Sequence, residues 1–180
     1  GKGDLFFVIH GHRWFSHDYG RTWPERVGIP GPAAWNEGNN LVEFDDEGNV
    51  KAVAEVVCNL TQDDGSAWNA TKPSNLFFRW SHDGGRTWTA ATRPEEWRWD
   101  ETYKGKTYRR SASEGGLARA NNGALVAAIR MDMPACLAVG PNNDGLEGTG
   151  VSISTDDGKT WTPVTERILF PAGRHHSNLA

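Results

Sequence analysis

One octapeptide, present three times, constrains this chain more than any other feature. Ser16-His17-Asp18-Tyr19-Gly20-Arg21-Thr22-Trp23, Ser81-His82-Asp83-Gly84-Gly85-Arg86-Thr87-Trp88 and Ser154-Thr155-Asp156-Asp157-Gly158-Lys159-Thr160-Trp161 share the pattern S-x-D-x-G-[RK]-T-W, with serines 65 and then 73 residues apart. Recurrence at such a period marks an array of like units. Each copy follows a β-rich run, Leu5–Ile9, Leu76–Trp80 and Val151–Ile153, and each closes on Thr-Trp, which suits a further strand. The aspartate can accept hydrogen bonds from nearby backbone N–H groups, and the glycine can take positive φ at little cost. The tryptophan then buries a large apolar surface against the strand layers. Ser16, Asp18, Gly20, Thr22 and Trp23, with Ser81, Asp83, Gly85, Thr87 and Trp88 and with Ser154, Asp156, Gly158, Thr160 and Trp161, are therefore expected to be structural.

A second pattern lies between the octapeptides. The stretch from Gly38 to Val50 can be laid beside the stretch from Glu114 to Leu125, each reading as a strand, a turn carrying Asp or Asn with Gly, and a second strand (Val50–Val57 and Ala124–Arg130). His176-Ser177-Asn178-Leu179-Ala180 resembles the opening of a third copy. One unit then reads strand, turn, strand, connection, strand, octapeptide, strand, and no stretch carries a capped helical period. The expected class is all-β, a β-propeller of four-stranded antiparallel blades. On this register residues 1–34 hold the outer half of a blade, 35–105 a full blade, 106–170 a second, and 171–180 the first strand of the next. Trp97 to Gly105 reads as an aromatic, charged connection between blades.

Composition agrees with this and excludes other classes. The chain of 180 residues has 37% hydrophobic residues, 21 Gly, 9 Pro and 9 Trp, the mixture of aromatic-filled strands joined by tight turns rather than of a disordered polymer. Its net charge of −4 gives no basic surface for nucleic acid or an anionic membrane. Uncharged stretches such as Ala120–Ile129 are far too short to span a bilayer. Cys58 and Cys136 make neither a disulfide framework nor a metal-ligand spacing. No leader precedes Gly1, and the chain opens at once on a strand-like run, which reads as a cut start.

The octapeptide resembles the Asp-box, the repeat of the sialidase (neuraminidase) superfamily, and the resemblance covers all three units. It implies a six-bladed propeller in the complete protein, of which about two and a half blades are present and the rest is missing. In that family the boxes lie at the rim, so they speak for fold and not for chemistry. The segment from Ser113 to Arg130 is similar to the one in which a Glu opens an inner strand and an Arg closes the next. By that likeness Glu114 is the catalytic partner of a tyrosine nucleophile, and Arg130 is one of three arginines that bind the substrate carboxylate. A neutral phenol avoids the repulsion that a carboxylate nucleophile would meet from an anionic sugar, and it needs a neighbouring base. Arginines suit the carboxylate through planar, paired, charge-assisted hydrogen bonds. The early arginine motif and an acid/base Asp have no counterpart here, the tyrosine and last arginine would lie beyond Ala180, and Gly115-Gly116 is smaller than the family's usual residues.

Other residues are weighed against plainer roles. Glu37 sits near the equivalent strand start one blade earlier, and Arg174 and His176 sit at that start in the next, so these three are further candidates to line the central cavity. Glu114 and Arg130 can equally be a buried structural ion pair. His10 and His12 share a strand face but lack a third ligand, so no metal is expected. Asp45-Asp46-Glu47-Gly48 and Asn142-Asn143-Asp144-Gly145 read as turns, lacking the full spacing of a calcium loop. Trp35, Trp68, Trp97 and Trp99 are candidate sugar platforms or filler between blades. No motif calls for a cofactor. The function implied is an exo-acting, retaining sialidase acting on a glycan substrate, secreted, periplasmic or at the cell surface. The alternatives are a binding propeller without hydrolysis and a propeller glycosidase acting on neutral polysaccharide.

Overall fold

The structure, a computed structural model, describes residues 4–9, 11–29, 34–35, 39–59, 75–131 and 148–168. Among these the chain is all-β, with antiparallel strands, one 3-10 turn at Glu95–Trp97 and no α-helix. No helix among them is long and apolar enough to cross a membrane.

Three sheets follow one another along the chain. The first is β1 (Leu5–Ile9), β2 (His12–Ser16) and β3 (Glu25–Gly28), in that order. The strand entering the first octapeptide is thus β2. Leu5–Ile9, which the sequence suggested for that place, lies one strand earlier, because the chain reverses at Gly11 (φ 71°) and β1 pairs with β2 from Leu5↔Ser16 to Ile9↔His12. The second sheet is built on β6 (Val50–Asn59). β4 (Ala34–Trp35) and β5 (Leu41–Phe44) share one edge of it, and β7 (Asn75–Ser81) takes the other.

The third sheet has five strands in the order β12-β11-β10-β9-β8: β8 (Arg98–Tyr103), β9 (Lys106–Arg119), β10 (Leu125–Met131), β11 (Gly148–Ser154) and β12 (Thr165–Ile168). The stretch expected to be a connection between blades is therefore largely a strand. Lys104 and Gly105, at φ 49° and 74°, form the two-residue turn of the β8–β9 hairpin. Lysine is an unusual first residue for such a turn, so the hairpin gave little local signal.

In both later sheets the strands, the turn and the octapeptide follow the expected order of strand, turn, strand, connection, strand, octapeptide and strand, with departures; the connections lie largely outside the described residues. After the second octapeptide the closing strand shrinks to one bridge, Phe78↔Thr92. Pro94, two residues on, has no N–H to lengthen the ladder. The turn before β6 is fastened by the Asp45 carboxylate, which accepts from the Glu47 and Asn49 N–H groups at 3.1 and 2.7 Å. Its counterpart before β10 uses the Asn122 side chain on the Ala124 N–H at 3.1 Å.

Strand alternation sets the packing between sheets. Ala54, Val56 and Cys58 of β6, with Leu76 and Phe78 of β7, meet Leu117 of β9, Ala127 and Ile129 of β10, Trp97 and Trp161 in one buried cluster. Burial of Val56, Leu76, Leu117 and Ile129 contributes about 1.5–3 kcal/mol each. Gly115 lets β9 come close, since a Cβ there would stand 2.8 Å from Ile129 Cγ2 and 3.0 Å from the Ala128 carbonyl oxygen. That is a packing reason for the small residue beside Glu114. Trp97 is buried and its ring meets Trp161 at 5.0 Å, so it is filler rather than a platform.

Candidate active site

The three octapeptides repeat one hydrogen-bond pattern. In each, the serine hydroxyl donates to the Asp at 2.8 Å and accepts from the box glycine N–H at 2.8 Å. The Asp also accepts from the threonine N–H at 2.8, 2.8 and 2.9 Å and from its hydroxyl at 2.7, 2.6 and 2.6 Å. The tryptophan indole closes the turn on the glycine carbonyl at 3.1, 3.0 and 3.2 Å. Gly20, Gly85 and Gly158 sit at φ 82°, 93° and 85°, where a side chain would be strained.

These bonds hold the carboxylates ionised. Asp18 is pulled down to about 2 by the Thr22 N–H and hydroxyl, and Asp156 to about 2 by the Thr160 hydroxyl and N–H. Asp83 reaches about 2 against the opposing pull of burial, through the Thr87 hydroxyl and N–H. A carboxylate so committed is a turn brace and a poor general acid.

The boxes also join the sheets. The glycine and tryptophan of one box rest on the residue three before the previous box serine: Gly85 and Trp88 on Arg13, Gly158 and Trp161 on Phe78. Between the first and second sheets this contact is charged. Glu55, fully buried, takes Arg13 at 2.5 Å and Arg79 at 2.6 Å, and the Trp88 ring lies 4.3 and 5.0 Å from the two guanidiniums. This carboxylate escaped the sequence reading, and nothing in the local pattern around Glu55 marks it. Its complete enclosure makes it a tie between sheets.

Glu114 and Arg130 are brought together at the opposite end of the third sheet from its box. β9 and β10 pair regularly from Arg119↔Leu125 to Gly115↔Ile129, then resume at Ala112↔Met131, so two residues of β9 face the single residue Arg130. Such a bulge re-aims side chains and is over-represented beside active sites. Arg130 Nη1 donates to Glu114 Oε1 at 2.6 Å, with the side chains 12% and 9% exposed. Thr149 of β11 pairs with Arg130 on its other side, a neighbour the sequence did not suggest.

Of the remaining candidates, Glu37, Arg174 and His176 lie outside the described residues, as do His10, Trp68, Cys136 and the stretch Asn142 to Gly145. Cys58 is a free, buried thiol. Trp99 is half-buried with the Arg110 guanidinium 5.2 Å from its ring centroid. Trp80, half-buried like Trp99, is an aromatic outside the candidate platforms. It precedes the second box serine, where the other units have Phe15 and Ile153, and that substitution was the available signal.

No protein-family model matches the chain, and no curated protein matches it. Among solved structures it is similar to a crystal structure of a protein of unknown function from Dyadobacter fermentans DSM 18053, at 18% identity and a TM-score of 0.54. The likeness covers 90% of this chain and 41% of that one, so the chain spans less than half the length of the structure it resembles.

Proposed function

We propose that this chain is part of a sialidase-like β-propeller of four-stranded blades, and that the complete protein is an exo-acting glycoside hydrolase that removes terminal sialic acids from glycans outside the cell. The observation that carries the reading is the Glu114–Arg130 pair, 2.6 Å apart at a bulged strand end. Arg130 would bind the substrate carboxylate and Glu114 would take the proton of a tyrosine supplied by another blade. Three boxes with one geometry support the propeller. So do the outward faces of the end sheets, where Leu5, Phe7 and Ile9 on one and Ile153 on the other are exposed, as faces meant for a neighbouring blade would be.

The test is release of a fluorogenic leaving group from an α-sialoside by a protein carrying this chain within its complete reading frame. Activity that is lost in Glu114→Ala and Arg130→Ala, with folding kept, is the expected result. A folded, complete protein that releases nothing overturns the reading.

A second reading, a glycan-binding propeller without hydrolysis, is favoured by the enclosure of the same pair. An arginine already spending a short bond on a buried carboxylate has less to offer an incoming anion. Binding of glycans with no turnover supports this alternative.

A further inference from the structure

We infer that the groove between the second sheet and the third octapeptide is a binding site for an acidic sugar ring, separate from Glu114 and Arg130. The groove is an open one of about 550 Å³, with Trp80 in its floor and His82, Lys51, Lys159, Arg119 and Asp157 around it. Along β9, Arg119 stands five residues from Glu114, about 16 Å at the rise of a strand. The inference goes beyond the proposed activity and does not depend on it.

The floor is fixed before any ligand arrives. The Trp80 indole donates to the Asp157 carbonyl at 2.9 Å, and Phe78 meets it edge-on at 5.8 Å. The Trp80 backbone N–H donates to the Thr89 hydroxyl at 3.1 Å. The indole stays half-buried, with the exposed His82 ring nearly parallel to it, 11° between planes and 6.2 Å between centroids, and the Arg119 guanidinium 5.8 Å from its ring centroid, so a ligand ring has only the part of the indole that these leave uncovered. An indole face carries negative quadrupole charge and attracts polarised C–H groups, of which a pyranose presents a set on one side. Rigidity here lowers the ordering cost of binding.

The walls select the ligand. Arg119 is committed to Glu43 at 2.5 Å, Asp157 at 2.9 Å and the Gly123 carbonyl at 2.7 Å. That leaves Lys51 and Lys159, both exposed and neither with a carboxylate partner among the described residues, so the groove is locally positive on a chain of net charge −4. Two ammonium groups suit one carboxylate as point charges. The rim carboxylates of Glu43 and Asp157 accept hydroxyl hydrogen bonds, whereas a phosphate-dense polyanion would be repelled by them. An apolar floor, a small positive excess and acceptors at the edge together fit a polyhydroxylated ring bearing a single negative charge.

The experiment follows the Trp80 indole N–H in ¹H–¹⁵N spectra of this chain, the peak being assigned with Trp80→Phe. The titrants are glucuronic acid, N-acetylneuraminic acid and, as the neutral control, methyl galactoside. Both acids shift the peak with millimolar affinity, and the galactoside binds about tenfold more weakly for want of the charged contact. Lys51→Glu combined with Lys159→Glu, two exposed changes that leave the floor intact, abolishes the shift. An unmoved peak with either acid, an equal response to the neutral sugar, or undiminished binding by the double variant overturns the inference. Hydrolysis plays no part in this readout, so its failure and that of the proposed activity are told apart.

Discussion

Gly158 of the third octapeptide lies against the ring of Phe78 on the neighbouring sheet so closely that a Cβ at position 158 would run into it. Gly20, its counterpart in the first box, has only Leu5 Cδ1 at 3.3 Å and the ring of its own box tryptophan nearby. Both residues sit at positive φ, 85° and 82°. Gly20→Ala should therefore cost about 1 kcal/mol, the price of the backbone conformation. Gly158→Ala adds overpacking against a buried ring and should cost about 3 kcal/mol in all. Urea unfolding followed by tryptophan fluorescence checks this, and equal losses at the two sites would show that the sheets do not dock through the box glycine.

The Arg13–Glu55–Arg79 cluster makes a different prediction, because its parts are worth little alone and much together. Burial lowers the Arg13 pKa while the Glu55 carboxylate acts to raise it. Glu55→Gln leaves two guanidiniums enclosed without their anion and should destabilise the chain by about 3–5 kcal/mol. Replacing all three charges by apolar residues of similar volume should cost far less. Comparing the two variants by denaturant midpoint separates a charge requirement from a packing requirement. A triple variant as unstable as Glu55→Gln would point to shape rather than charge.

Acid should loosen the boxes together. Asp18, Asp83 and Asp156 have native pKa values of about 2, below their ordinary value of 3.8. Their stabilisation is fully present above pH 4 and is lost as pH falls towards 2. Removing a donor with Thr87→Ala raises the Asp83 pKa and should move the acid midpoint upward. His17 acts in the opposite direction. Its hydrogen bonds to Asp4 and then Glu25 raise its pKa above 6.5, so its contribution is full below 6.5 and fades as pH rises through the native value. An acid titration of near-ultraviolet circular dichroism, compared between parent and Thr87→Ala, tests the first statement. Proton NMR of the His17 ring tests the second.

These relationships explain what the sequence could and could not reveal. The box residues were legible because each makes its bonds within eight residues, so chemistry and spacing travel together. The turns at residues 45–49 and 120–124 were legible for the same reason. Glu55 was not, since its partners lie 42 and 24 residues away: Arg79 faces it across the β6–β7 pairing, and Arg13 reaches it only through the stacking of two sheets. The Lys104–Gly105 turn was hidden by its unusual first residue, and β8 was lost with it. Glu114 and Arg130 were suggested by a family likeness, but their meeting depends on a bulge that no residue near Ser113 announces. Trp80 was legible only as a departure from Phe15 and Ile153, because the bond that fixes its ring is to Asp157, 77 residues away.

The Glu114–Arg130 pair admits one further test, which separates its structural worth from any part in catalysis. With side chains 9% and 12% exposed, the two charges are nearly dehydrated. Removing either partner alone should destabilise this chain by about 3 kcal/mol, much of it from stranding the other. The exchange Glu114→Arg with Arg130→Glu restores the opposite charges and should recover most of that loss in a denaturant melt. Under the proposed activity catalysis would not be symmetric in the same way, because a tyrosine phenol would need its base and a sugar carboxylate its guanidinium at fixed places. In the complete protein the exchanged pair should fold and yet release no leaving group from an α-sialoside. Recovery of turnover along with stability would mean that the pair serves the sheet alone.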